Sequence, residues 1–168
     1  MPRKRKARSI PFAIFAIFTI LIASPLCRAQ FSGAPVPTLS AFSIPQSQLI
    51  QAAELNRLLQ AGGDGQPVVL QVGSHVMFEQ AHIPGALYAG PGSQASGLQL
   101  LESIAAQSQK RRLIVLYCGC CPWNRCPNVG PAYKQLRELG FSNVKVLYMA
   151  NNFGDDWVNK GYPIEAGH

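Results

Sequence analysis

The sequence predicts an α/β domain with a mainly parallel central sheet flanked by helices. Short, continuous apolar runs at 67–73, 111–118 and 143–149 are typical of strands that are buried on both faces of a parallel sheet. Stretches of about ten residues with helical spacing of apolar side chains alternate with these runs. This alternation is the order expected of βαβ units.

The elements follow one another from residue 47 onward. The spacing predicts a helix over 47–62 that ends at Gly62 and Gly63, because glycine commonly follows the last turn of a helix. A strand at 67–73 follows, and 78–90 is predicted as a loop that meets another short apolar run. Helices at 97–108 and 130–140 then alternate with the strands at 111–118 and 143–149.

The N-terminus has the pattern of a secretory signal. A basic stretch precedes an apolar segment and a small-residue region that could be cleaved after Ala29. Residues 30–47 are rich in Pro, Ser, Ala and Gly and are predicted to be a flexible tether, which leaves 48–168 as the domain. We expect a periplasmic or secreted protein, with an uncleaved signal as the only membrane attachment.

Net charge gives no support for nucleic-acid binding. The chain carries +7 overall, but six basic and no acidic residues fall in 1–29, so nine basic and eight acidic residues remain, a net charge of +1. The basic character therefore belongs mostly to the signal. The remaining length can bury a core without a disulfide framework, and a monomer is expected.

Four of the five cysteines lie in one segment, directly after the predicted strand 111–118. They are Cys118, Cys120, Cys121 and Cys126. Ligands in open parallel sheets bind beyond the carboxyl ends of strands, and this segment starts at such an end. The segment is therefore the candidate site.

Four stretches in order carry a resemblance to the rhodanese-like domains. They are AAELNRLL, then VVLQVGSHVMFEQAHIPGALY with its His-Ile-Pro-Gly-Ala signature, then IVLYC followed by LRELGFSNVKVL, and finally DDWVNKGYP. Three departures accompany them. One is the stretch ANNFG at 150–154, where the family usually has Gly-Gly after the last strand. Gln71-Val72-Gly73 stands where the family usually has an Asp-x-Arg pair, and the loop after Cys118 is about five residues longer than the family's.

The resemblance implies sulfur transfer through a cysteine persulfide, without a cofactor. A thiolate takes the outer sulfur of a small anionic donor and passes it to an acceptor such as a protein thiol. Cys118 is favoured as the nucleophile because it ends the strand, whereas Cys120 has the family's spacing to Arg125, and Cys121 is a third possibility. Arg125 would bind donor oxygens, and the remaining substrate-binding residues would be Gly119, Trp123, Asn124 and Cys126.

Other interpretations of the cysteines stay open at this stage. A disulfide that joins Cys126 to Cys121 or Cys120 is expected in an oxidising compartment. Thiol–disulfide redox chemistry with Cys121 or Cys126 as the resolving thiol is the second function class, and a non-catalytic binding or metal-carrier module is the third. No metal is expected, because the spacing matches no standard zinc site, although Cu(I) would suit thiolates better. Phosphatase or arsenate-reductase chemistry is a fourth possibility.

Overall fold

The computed structural model describes residues 43–167, and these contain one five-stranded, wholly parallel sheet in the order β1-β5-β4-β2-β3. The strands are β1 (Leu49–Ile50), β2 (Val68–Gln71), β3 (Leu87–Tyr88), β4 (Ile114–Tyr117) and β5 (Val144–Leu147). The helices are α1 (Ala52–Ala61), α2 (His75–Gln80), α3 (Ala95–Ala105), α4 (Val129–Glu138) and α5 (Phe153–Asp156). The predicted α/β class with a parallel sheet is confirmed.

Helices cover both faces of the sheet, and the alternation of side chains along β4 shows how. Ile114 and Leu116 pack in a core cluster that includes residues of α3 and α4. Val115 and Tyr117 pack on the opposite face, in a cluster that includes residues of α1, α2 and α5. Because side chains alternate along a strand, the next residue, Cys118, falls on the α3 and α4 side.

Two sequence-based assignments differ from the structure. The predicted helix 47–62 begins only at Ala52, because Leu49 and Ile50 instead pair with Val146 and Leu147 of β5 as an edge strand. The predicted loop 78–90 is wrong at its start, because α2 continues to Gln80 and its buried Phe78 packs into the core. Both segments are too short for periodicity to separate strand, helix and loop, so long-range packing decides them.

The predicted signal, 1–29, and most of the tether lie outside the described residues. Ile44 is already buried in the core cluster with β4 and β5, so the folded part includes the last residues of the predicted tether. Within 43–167 there is no helix with the length and apolar character needed to cross a membrane.

The sheet register places the candidate site. Strands β2 and β4 pair in parallel so that their last residues, Gln71 and Tyr117, lie side by side. Cys118 follows Tyr117 directly, at the carboxyl edge of the sheet between β2 and β5. This is the position at which parallel sheets bind ligands.

Candidate functional site

Cys118 is a buried thiol at the end of the central strand, with a relative exposure of 1%. The chain beside it has no room for a larger residue, since a Cβ added to Gly73 would lie 2.8 Å from both the sulfur and the carbonyl oxygen of Cys118. A glycine after β2 therefore allows the cysteine to sit against the neighbouring strand.

Gln71 fixes the backbone around Cys118. Its buried side chain donates from Nε2 to the Cys118 carbonyl oxygen at 3.0 Å, and its Oε1 accepts from the Gly73 N–H at 3.1 Å. One neutral amide thus links the ends of β2 and β4. Where the family usually carries a charged pair, this chain uses an uncharged cross-link that satisfies two buried backbone groups.

Asn128 directs a hydrogen-bond donor at the sulfur of Cys118. Its Oδ1 accepts from the Ser93 N–H at 3.0 Å, which leaves the Nδ2 group to donate to the Cys118 sulfur at 3.4 Å. The backbone N–H of Ser93 can only donate, so it determines the orientation of the amide. Asn128 stands at the N-cap position of α4, yet its side chain makes no capping bond and serves the thiol instead.

The hydrogen bonds around Cys118 favour its thiolate. Hydrogen bonding from the Cys126 thiol is the largest cause that lowers the pKa of Cys118, to about 5, with further lowering by the Asn128 amide and the Cys120 N–H, against a raising effect of burial. Burial is the largest cause that raises the pKa of Cys120, to about 12, with the Cys118 and Cys121 thiols adding to it. These opposite shifts favour the thiolate of Cys118, and not that of Cys120, at neutral pH.

The backbone at the start of α4 acts directly on the thiol of Cys126. Hydrogen bonding with Cys118 is the largest cause that raises the pKa of Cys126, burial adds to it, and hydrogen bonding from the backbone of Asn128 and Val129 lowers the pKa. The start of α4 therefore influences Cys118 through Cys126, whose raised pKa favours the protonated thiol that donates to Cys118.

The cysteine loop is fixed to the core at two points. Gly119, with φ of +93°, turns the chain sharply after Cys118, and its carbonyl oxygen accepts from the Phe153 N–H at 3.0 Å. The N–H of Trp123 donates to the Met149 carbonyl oxygen at 3.1 Å, and its half-buried side chain packs on the core cluster. Trp123 therefore holds the loop against the end of β5.

The remaining predicted residues lie progressively further toward solvent. Cys120 is exposed, and its sulfur lies 3.3 Å from that of Cys118 and 3.1 Å from that of the half-buried Cys121. Asn124 and Arg125 are both exposed in the short 3₁₀ turn Trp123–Arg125. The structure thus brings Cys118, Cys120 and Cys126 together and leaves Asn124 and Arg125 at the surface.

No disulfide joins the cysteines within residues 43–167, and all four there are free thiols. The expected pairing of Cys126 with Cys121 or Cys120 is therefore not present, because Cys126 is instead engaged with Cys118 and the start of α4. The sulfur atoms of Cys118, Cys120 and Cys126 lie within 4.8 Å of one another. These three thiols are the set that could hold a soft ion such as Cu(I).

A cavity of about 310 Å³ opens beside Cys118. It is bounded by the carboxyl ends of β2 and β4 and by α2 and α5, and its lining includes Gln71, Met77, Tyr117, Cys118, Gly119 and Phe153. Cys120 lies at its rim as a further lining residue. No charged side chain of the described part of the chain lines this cavity, and Arg125 is not part of its wall.

Gln71, Gly73 and Asn128 were not identified as residues of the site from the sequence. Gln71 and Gly73 were noted only as departures from the family pattern, although they occupy the family's charged-pair positions. The position of Asn128 at a predicted helix start was the available signal for its role, but it pointed to capping. His82 lies outside the cavity wall, and it orders a turn, since its Nδ1 donates to the Phe78 carbonyl oxygen at 2.8 Å and its backbone pairs with that of Glu165.

Comparisons with known proteins agree with this architecture. Residues 51–150 match the rhodanese-like domain family. The chain is similar to the BH2092 protein from Bacillus halodurans, with 24% identity, a TM-score of 0.56 and coverage of 71% of this chain and 77% of that one. It is also similar to the rhodanese-like domain of the Alr3790 protein from Anabaena sp., with 23% identity, a TM-score of 0.51 and coverage of 71% and 79%.

A thiosulfate sulfurtransferase from Pseudomonas aeruginosa is similar at 22% identity and a TM-score of 0.53, over 71% of this chain but 20% of that one. At these identities, the structural likeness shows the fold alone. No curated protein matches the sequence significantly. Because the family match covers more than half of its residues, the chain belongs to the rhodanese-like domain family.

Proposed function

We propose that the protein is a sulfurtransferase or persulfide carrier whose nucleophile is Cys118. The observation that carries the proposal is the geometry of this one thiol. It ends the central strand, receives hydrogen bonds from Asn128 and the neighbouring cysteines, and borders a cavity large enough for a small donor. The thiosulfate sulfurtransferase among the similar structures is consistent with this chemistry.

The loading step needs only the Cys118 thiolate and a donor. With thiosulfate, the thiolate attacks the outer sulfur, the sulfur–sulfur bond of the donor breaks, and its electron pair leaves with sulfite. Cys118 then carries a persulfide anion. The donors around the Cys118 sulfur stabilise negative charge before the step, and the cavity offers room for the added sulfur atom.

The chemistry of the cavity wall affects which sulfur donor should react faster. Because no charged side chain lines it, a low-molecular-weight organic persulfide should load faster than thiosulfate. Arg125 is exposed and lies outside the wall, in the same loop as Cys118. Loss of activity with thiosulfate alone in Arg125→Ala would support the anion-binding role expected from the sequence.

The test is loading followed by peptide mass spectrometry. Reduced protein is given thiosulfate or the organic persulfide, and the expected product gains one sulfur atom on the peptide that contains Cys118. Cys118→Ser should abolish loading with both donors and retain the fold, because the two side chains are close in size. Full loading in Cys118→Ser, with its loss in Cys120→Ser, would show that the spacing to Arg125 was the better guide.

A further inference from the structure

The sulfur of Cys120 lies 3.3 Å from that of Cys118, within the range of about 3–3.5 Å from which reacting atoms start. Gly119 creates this approach, because its φ of +93° folds the chain back between the two cysteines. Cys120 is exposed, whereas Cys118 is buried. The pair therefore joins a protected sulfur atom to one that solvent and other proteins can reach.

We infer that Cys120 resolves the Cys118 persulfide within the protein, so that the sulfane sulfur leaves as sulfide and a Cys118–Cys120 disulfide remains. The inference rests on the proposed function, since it requires a persulfide on Cys118. It identifies the first acceptor as a thiol of the same loop. An external thiol or dithiol is then the second substrate, because the disulfide must be reduced before another cycle.

The step balances without any further reagent. The Cys120 sulfur forms a bond to the inner sulfur, which is the Cys118 Sγ, and the bond from that atom to the outer sulfur breaks. The persulfide anion first takes the proton of Cys120, so that Cys120 attacks as a thiolate and the electron pair of the broken bond leaves with the outer sulfur as HS⁻. Two cysteine sulfurs are oxidised to the disulfide, and the sulfane sulfur is reduced by the same two electrons.

The position of the attacking thiol selects the inner sulfur. Cys120 is already in van der Waals contact with the Cys118 sulfur, and a disulfide requires closure from 3.3 Å to about 2.05 Å. The outer sulfur would depart into the cavity that Cys118 and Cys120 both line. The exposed Cys120 side of the disulfide then remains open to an external reductant.

The experiment follows a single turnover in the absence of added thiol. Reduced full-length protein is loaded with thiosulfate, freed of donor by gel filtration and incubated, and both released sulfide and the mapped disulfide are measured. We expect one equivalent of sulfide and a Cys118–Cys120 disulfide. In Cys120→Ser the persulfide should persist at least about tenfold longer and release sulfide only when dithiothreitol is added.

Cys121→Ser tests whether the adjacent thiol of the same loop could resolve the persulfide in place of Cys120, and this variant should still form the Cys118–Cys120 disulfide and release sulfide. Equal persulfide lifetimes in wild type and Cys120→Ser, or a disulfide mapped to Cys121 or Cys126, would overturn the inference. Loading of Cys120→Ser separates the two claims. If that variant gains the sulfur on Cys118, the proposed function stands whatever the resolution step does, and if no variant loads, both claims fail.

Discussion

Substitution of Gly73 by alanine should disable the site through contact with Cys118. The added methyl carbon would lie 2.8 Å from the Cys118 sulfur and from its carbonyl oxygen, whereas ordinary contacts begin at 3.4 Å. The strand ends must therefore separate by roughly 0.6 Å, the difference between these two distances. Overpacking of this kind costs about 1–3 kcal/mol of stability. It should also slow Cys118 loading on the order of 10- to 100-fold, because small displacements of a reacting atom are costly.

Gly130→Ala is the matched control, since it lies in α4 and an added Cβ would meet nothing within 4 Å. It should load normally and gain about 0.4–1 kcal/mol from the reduced entropy of the unfolded chain. Urea unfolding gives the stabilities, and the rate at which the Cys118 peptide gains sulfur gives the activity. Wild-type loading and stability in Gly73→Ala would refute the packing argument.

Four further outcomes are expected. Thiolate absorbance should titrate with a pKa near 5, and this titration should be absent in Cys118→Ser. The rate of sulfur loading should therefore be nearly independent of pH around neutrality and should fall as the pH drops through 5. The rate of an ordinary thiol, by contrast, rises about tenfold per pH unit below its own pKa. Asn128→Asp should raise the pKa of Cys118 by adding a negative charge beside the sulfur, and Cys126→Ala should raise it by removing a hydrogen-bond donor. Cys126→Ser should raise it less, because the serine hydroxyl still donates. An unchanged pKa of Cys118 in all three variants would contradict the assigned causes. Gln71→Leu should lower the free energy of unfolding by about 1–3 kcal/mol, since it leaves the Cys118 carbonyl oxygen and the Gly73 N–H without their partner. A wild-type free energy of unfolding, measured in urea, would show that water replaces the amide. Elemental analysis of protein purified without chelator should find well under one equivalent of zinc or copper, and a stoichiometric metal lost in Cys126→Ser would favour a metal carrier.

Export remains a prediction about residues outside the described part of the chain. Cleavage after Ala29 would give a processed protein that begins at Gln30. N-terminal sequencing of the exported protein measures this directly. Full-length protein retained in the cytoplasm would remove the argument for an oxidising compartment.

The sequence alone determined the parallel sheet and the place of the cysteine loop. Both follow from local patterns, because continuous apolar runs such as 111–118 identify buried strands and a cysteine at the end of one lies at the carboxyl edge of the sheet. The short strand β1 and helix α2 did not follow from such patterns. Each has too few residues for a period to emerge, and partners far along the chain stabilise them.

Tertiary structure decided the surroundings of each cysteine. The sequence favours Cys118 over Cys120 and Cys121 only through its place at the end of a strand. In the structure the end of β4 buries Cys118, while the turn at Gly119 leaves Cys120 exposed. Gln71 reaches the Cys118 carbonyl oxygen across 47 residues of sequence. Ser93 orients Asn128 across 35 residues. The hydrogen bonds that set the chemistry of the thiol join segments brought together only by folding, so no local pattern contains them.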